Sequence, residues 1–448
     1  MKMITEGFYY HIFRNLFGIG LRVYYKKISV SGLEKFPTKN PVMTVSNHPT
    51  GLMDVFLAGY HIRRQIKFTA AGGLFKDKLQ AAFLTRVGVI PLYRHKDTPD
   101  EMDKNVESFE SCFKELESGG AIGFYPEGTS HPEPRVNPIK TGAARIALQA
   151  EERNDFNLNL QIVPIGINSL KPGVFRQTVF VKFGDPILLK KYRSSYKINP
   201  KQTVERLTAE IQKEMERCTF HIALDPLLHL FNAFQIIGLD DIKPGNPNLN
   251  NKVEKIFSLI KILENKIGRD EQAFKDNKIK SLANTSVELI QKMQASALID
   301  HPFNGIKTVV KFLYSFLVSL IGFPLALAAM LANILPFIAA KNLGRKIAGK
   351  DISLIPAARL MSGVVIYLFY YMFLFIIIGL ITGIINSIVI CSALLVGGYL
   401  ALWYLEAVKT FSIVSKKIYY RFTKRQMINE LVSMRAKIIN DINRLVEF

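Results

Sequence analysis

The sequence predicts an α/β domain over residues 26–195, with a mixed, mostly parallel sheet of about seven strands flanked by helices, followed by a helical C-terminal membrane region. Two observations carry this prediction. Short apolar runs alternate with helical stretches through the first half of the chain, and long uncharged stretches fill its last third. The strand-like runs are 28–30, 42–45, 66–70, 87–92, 121–125, 161–167 and 178–183. Helices fall near 53–61, 74–85, 100–118 and 140–152, and in the third Val106, Phe109, Phe113 and Leu116 recur at helical spacing as a core stripe.

The remaining segments follow from composition. Residues 1–25 mix aromatic and aliphatic side chains with Lys2, His11, Arg14 and Arg22; the uncharged run after Arg14 is too short to span, so an interfacial amphipathic helix is expected. Residues 196–305 turn polar and helical around the turn-like 243–248, which reads as a helical linker or hairpin. Residues 306–408 form the membrane region. The run 360–405 is long enough for a two-span hairpin turning near Gly383, and the charge-free run 312–340 is expected to be re-entrant, broken near Pro324, or else a kinked span. Basic residues flank these runs on both sides, which places the flanks on the cytoplasmic side. Residues 409–448 form a basic amphipathic tail.

Of 448 residues, 58 are Lys or Arg against 37 Asp or Glu, a formal charge of +21, and 49% are hydrophobic. Such an excess of positive charge suits nucleic acid or an anionic membrane surface. No nucleic-acid motif appears, and the apolar runs decide for a phospholipid membrane. Cys112, Cys218 and Cys391 are scattered and form no Cys-x-x-Cys pair, so neither a zinc site nor a disulfide framework is indicated. No cofactor and no metal is expected.

The chemistry-bearing stretch is Ser46-Asn47-His48-Pro49-Thr50-Gly51-Leu52-Met53-Asp54, directly after an apolar strand-like run. A neutral imidazole takes a proton from an alcohol, and a carboxylate on its other nitrogen fixes the tautomer and stabilises the imidazolium. Six helical steps of about 100° leave Asp54 about 240° from His48, so the two do not share one regular helix. His48 is expected in a loop, with Asp54 on the following helix folded back against the ring. A second stretch, Phe124-Tyr125-Pro126-Glu127-Gly128-Thr129-Ser130, puts a carboxylate and hydroxyls at a strand's C-terminal end, where open α/β sheets keep their sites. Between them, 88–94 reads as a strand ending in Arg94, a guanidinium suited to a phosphate. Later comes Val163-Pro164-Ile165-Gly166.

In order and spacing these four blocks resemble those of the glycerolipid acyltransferase family, across roughly residues 25–190. That family pattern has Asn-His-x4-Asp first, a block ending in Arg second, Phe-Pro-Glu-Gly-Thr-Arg third and a Val-Pro-Val-like strand fourth. Here five residues separate His48 from Asp54, as in a branch resembling fungal-type glycerol-3-phosphate acyltransferases; the third block ends in Ser130 rather than Arg, and the fourth ends in Ile. Arg135 or Lys140 stands near enough in sequence to replace the missing cation. The resemblance implies His48 as base and Asp54 as its orienter, with Arg94, Glu127, Gly128, Thr129, Ser130, Arg135 and Lys140 binding the acceptor.

It further implies a membrane-associated O-acyltransferase that moves a fatty acyl group from acyl-CoA or acyl carrier protein to a glycerol-phosphate lipid acceptor. The foremost acceptor is 1-acyl-sn-glycerol-3-phosphate, giving phosphatidic acid; the alternative is glycerol-3-phosphate itself. Backbone N–H groups near Gly128 or at the helix after His48 would supply the oxyanion donors. The loop 126–139, with four prolines, is read as a gate over the site. An integral membrane protein with its catalytic domain on the cytoplasmic face is expected. A scaffold that kept the fold and lost the chemistry is the rival from another class.

Overall fold

The structure, a computed structural model, describes residues 14–94, 99–237, 242, 251–269, 278–295, 305–349 and 351–447. It divides into two compact units, Met1–His221 with Gly344–Met361, and Ile222–Leu343 with Ser362–Phe448.

The first unit is built on strands β1 Lys27–Ser31, β2 Val42–Ser46, β3 Lys67–Ala71, β4 Ile90–Leu92, β5 Ala121–Phe124, β6 Gln161–Ser169, β7 Thr178–Phe183 and β8 Ile187–Leu188. They form one sheet in the order β1-β7-β6-β2-β5-β3-β4, with β8 paired to β6. All pairings are parallel except β6 with β7 and β6 with β8. This is the mixed, mostly parallel sheet that the sequence predicts, with β8 added and β4 shorter than 87–92. Central parallel strands are covered on both faces, so every residue of β2 is buried, Thr44 and Ser46 as well as its three apolar residues. Met43 and Val45 of β2 enter one core and Val42 enters the other.

Around the sheet lie α1 (residues 14–24), α2 Leu52–His61, α3 Lys78–Arg86, α4 Asn105–Glu117, α5 Gly142–Arg153, α6 Arg193–Ile198 and α7 Pro200–Cys218. Within α4, Cys112, Phe113 and Leu116 are buried while Val106 is 69% exposed. At about 100° per residue Val106 lies about 20° from Phe113, so it keeps the direction of the stripe but sits in the first turn of α4, which is left open to solvent. The α1 helix presents one face to the sheet domain. Its Leu21 and Tyr24 are buried against α2, and Phe17 stacks on Phe56 at 4.5 Å, so one face packs on the domain core. Residues 1–13 of the predicted interfacial helix lie outside the described residues.

The domain also runs past residue 195. Asn199 caps α7 by accepting from Gln202 N at 3.1 Å, with Pro200 in the first turn. Leu207, Ile211 and Met215 then enter the same core as β2 and β5. At the end of α7, Gly166 of β6 stands so close to the Cys218 carbonyl that any Cβ would overlap it, at 1.9 Å.

In the second unit, α8 Asp225–Ile236, α9 Lys252–Arg269, α10 Lys278–Ala295 and α15 Arg425–Glu447 are amphipathic helices. Lys292 of α10 pairs with Glu288 at 2.8 Å and with Glu430 of α15. The apolar helices are α11 Gly305–Ile321, α12 Phe323–Ala348, α13 Ile355–Thr382 and α14 Ile384–Thr423, of which the last three are long and apolar enough to cross a membrane. The break in the 312–340 run falls at Gly322, and Pro324 sits in the first turn of α12, where its missing N–H costs nothing. The stretch after it is a helix of 26 residues. The α13–α14 turn lies at Gly383, φ +92, as predicted, but α14 continues through Thr423 and absorbs the start of the predicted tail. Asn333 ties three of these helices: Nδ2 donates to the Leu394 carbonyl at 3.3 Å, and Oδ1 accepts from the Tyr371 hydroxyl at 2.9 Å. Polar side chains bridging helices in this way are the usual glue of apolar bundles.

Two stability outcomes are expected. Leu207→Ala removes a fully buried side chain from the core and should cost about 2–5 kcal/mol in thermal or urea unfolding, against near zero for a solvated linker. Burial, with the Arg22 charge adding to it, pushes the His61 imidazole down to about 4. Its unfolded value is about 6.5, so the stability held by the neutral ring is full above that pH. It is lost as pH falls toward 4, at up to about 1.4 kcal/mol per unit. His61→Gln should therefore flatten the drop in melting temperature between about pH 7 and pH 5.

Candidate active site

Parallel strands β2 and β5 are neighbours, and β4 lies one strand further on, beyond β3; all three end on the same side of the sheet, and each leads into one predicted block. The chain leaves β2 under control of Asn47. Its Nδ2 donates to the Ile167 carbonyl at 3.0 Å and its Oδ1 accepts from Ile167 N at 2.7 Å, so a side-chain amide continues the β2–β6 ladder where the backbone turns away. His48 follows in the loop. Gly51, at φ +59, then makes the bend that starts α2, a backbone conformation that favours glycine.

Asp54 lies in the first turn of α2 and has no exposed surface. Its Oδ2 accepts from Thr50 N at 2.8 Å and lies 3.0 Å from His48 Nδ1, while its Oδ1 takes the Thr50 hydroxyl. A buried carboxylate needs such donors. The bond to Asp54 makes Nδ1 the protonated nitrogen of a neutral ring and leaves the lone pair on Nε2. The ring is 20% exposed. It stacks on Tyr125, centroids 4.0 Å apart, and Tyr125 in turn stacks on Phe68 of β3 at 6.2 Å. The Tyr125 hydroxyl is buried without a hydrogen-bond partner, and burial, with the Asp54 charge behind it, raises this phenol well above its ordinary value.

The block after β5 is sewn to the His48 loop. Ser130 Oγ donates to the His48 carbonyl at 2.7 Å and accepts from Gly51 N at 3.1 Å, and His131 N donates to the same carbonyl at 3.1 Å. Glu127 points inward. Its carboxylate, without exposed side-chain surface, meets His131 Nε2 at 2.5 Å and accepts from Asn137 N at 2.7 Å. The loop 126–139 is further held by Val136 N on His221 Nδ1 and Ile139 N on Gln212, so the predicted gate is a braced segment.

Around Gly128 two cations gather. Arg94 donates to the Gly128 carbonyl, and Lys140 Nζ stands 3.2 Å from where a Cβ on Gly128 would lie. The Arg135 and Thr129 side chains are exposed, and Arg135 N donates to the Glu133 carbonyl. Three backbone N–H groups near the expected oxyanion position already have partners: Gly128 N on the Tyr125 carbonyl, Thr50 N on Asp54, Gly51 N on Ser130. Among the described residues no three His, Cys, Asp or Glu side chains gather to hold a metal ion. Sequence reasoning missed Asn47, Thr50, Tyr125 and His131. Only Asn47, a polar residue at the end of an apolar strand, left a signal.

A mixed, mostly parallel sheet with a carboxylate-oriented imidazole beyond its strand ends defines an α/β protein that carries the parts of a general base. Comparison with known proteins makes it more particular: residues 27–168 match the Acyltransferase family model. The sequence is 36% identical to glycerol-3-phosphate O-acyltransferase 2 of Saccharomyces cerevisiae over 112 residues, 25% of this chain and 15% of that one. It is 30% identical to a chloroplastic 1-acyl-sn-glycerol-3-phosphate acyltransferase of Arabidopsis thaliana over 124 residues, 27% of this chain and 32% of that one. The matched stretches therefore span less than a third, or about a third, of these relatives. The crystal structure of the 1-acyl-sn-glycerophosphate acyltransferase of Thermotoga maritima aligns with a TM-score of 0.32 at 19% identity, covering 45% of this chain and 79% of that one.

The stack under His48 yields a direct test. Tyr125→Phe deletes a buried hydroxyl that has no partner and keeps the ring, so it should stabilise the protein by about 1 kcal/mol, whereas Tyr125→Ala should cost about 3–5 kcal/mol. Unfolding of the purified variants in detergent distinguishes the two.

Proposed function

We propose that the protein is a membrane-bound O-acyltransferase that moves a fatty acyl group from a thioester to a hydroxyl of a glycerol phosphate. The observation that carries the reading is the His48 Nδ1–Asp54 Oδ2 contact of 3.0 Å, which leaves Nε2 as the proton acceptor. His48 Nε2 takes the acceptor's hydroxyl proton as that oxygen bonds to the thioester carbonyl carbon. The tetrahedral intermediate then expels the thiolate, which receives the proton from His48, so an ester and a free thiol result. Asp54 holds the ring and stabilises the imidazolium in between. Neither residue is acylated. Arg94 and Lys140, beside Gly128, supply positive charge for the acceptor's phosphate, and Glu127 acts from inside by bracing the loop that carries Gly128. The three apolar helices long enough to cross a membrane support action at a lipid surface, with the basic flanks favouring a cytoplasmic face.

The acceptor in this reading is 1-acyl-sn-glycerol-3-phosphate, and the donor acyl-CoA or acyl carrier protein. Glycerol-3-phosphate is the second reading, favoured by the five-residue spacing between His48 and Asp54 and by the yeast relative. Purified protein offered each acceptor with a labelled acyl thioester separates the two by the product formed, and labelling of neither sinks both. In the same assay His48→Ala should slow thiol release at least about a hundredfold, the contribution of a positioned base. Equal rates would leave a lipid-binding scaffold.

A further inference from the structure

Residues 344–361 are the end of α12, the connection after it and the first turns of α13; both helices are long enough to cross a membrane, yet these residues cluster with the α/β unit. The connection is ordered by its own hydrogen bonds. Gly349, at φ +57, turns the chain, and Asp351 Oδ1 accepts from Ser353 N at 2.9 Å and from Ser353 Oγ at 2.6 Å. The first turns of α13 then face inward. Ala357, with no exposed surface, and Leu360 share one core with Leu21 and Tyr24 of α1, Met53 and Leu57 of α2, Ile167 and Val179. Pro356 packs beside Gly173, its Cγ 3.3 Å from where a Cβ would stand.

The contact that matters is with Gly51. The Ser353 carbonyl lies 3.0 Å from the position of a Cβ on Gly51, so backbone meets backbone in the middle of the turn that joins His48 to Asp54. On its N–H side the same glycine is held by Ser130. The turn is thus gripped by two segments far away in the chain, one from the Pro-Glu-Gly loop and one from the helix connection. Met53 and Leu57 extend the second grip along α2, next to Asp54. A connection that served only to root an anchor would have no reason to close on this turn.

We propose that residues 351–360 are a positioning segment for the His48–Asp54 turn, which makes the α12–α13 connection a working part of the acyltransferase domain. The kinetic half of this inference rests on the function proposed above. Misplacing a reacting group by about 1 Å costs up to about a hundredfold in rate, so loosening this grip should act on kcat.

The test uses full-length protein in detergent micelles. Ala357→Leu adds bulk in a filled contact, and Asp351→Ala removes the acceptor that shapes the Ser353 turn; Asp351 is exposed, so its loss does not threaten folding. Both should lower kcat at least about fivefold with KM for donor and acceptor within about twofold. Asp351→Asn, which keeps an oxygen acceptor, should restore most of the rate. Hydrogen exchange of the 50–54 amides is read in the same samples and should speed up about tenfold in Ala357→Leu and Asp351→Ala. Unchanged exchange overturns the proposal whether or not the protein transfers acyl groups. Faster exchange with an unaltered kcat overturns it as well. A wild-type protein that acylates no acceptor sinks the functional reading instead, while the exchange measurement still decides whether the segment holds the turn.

Discussion

One buried carboxylate sets the geometry of this site. Asp54 has no exposed surface, and leaving it without donors would cost more than any single bond around it provides. Its donors are Thr50 N, the Thr50 hydroxyl and His48 Nδ1, all within six residues. The bend at Gly51 is the shape that lets one carboxylate reach all three. The imidazole is therefore oriented by the same bonds that start α2, and its setting is inseparable from the cap of a helix.

That cap is stable only because the chain enters it at a fixed point. Asn47 prolongs the β2–β6 ladder by two side-chain bonds, and the β2–β5 register, Val45 beside Phe124, places Tyr125 under the His48 ring. A parallel sheet aligns strand ends by hydrogen bonding, so blocks separated by tens of residues converge beyond one edge. Here the ladder does the long-range work, and short side-chain bonds finish it.

This division explains what could be read from the sequence. Strands buried on both faces appear as continuous apolar runs, so β2, β5, β6 and β7 were visible, while β8, two residues long, carries no pattern at all. The helix α7 looked like polar linker because Leu207, Ile211 and Met215 form a single narrow stripe in a charged sequence, and burial of one stripe leaves the average composition polar. His48 and Asp54 were legible since both partners lie in one local motif. Tyr125 and His131 were not, and Asn47 showed only as a polar residue ending an apolar strand. Their meaning depends on partners or neighbours that the fold brings from elsewhere, Ile167 lying 120 positions from Asn47. The docking of residues 351–360 was equally hidden, because a short turn between apolar helices reads the same whether solvated or packed.

The departure of the third block from the family pattern now has a chemical content. Arginine only donates, whereas a serine hydroxyl both donates and accepts. Ser130 uses both capacities, giving its proton to the His48 carbonyl and receiving the Gly51 N–H, a bridge that a guanidinium in its place does not make. The neighbouring His131 meets the buried Glu127 on one ring nitrogen and lies 3.0 Å from Glu133 on the other. Position 130 thus serves to join the two loops, and the positive charge nearest Gly128 comes from Arg94 and Lys140. Ser130 thereby tightens the seam on which the His48 turn rests.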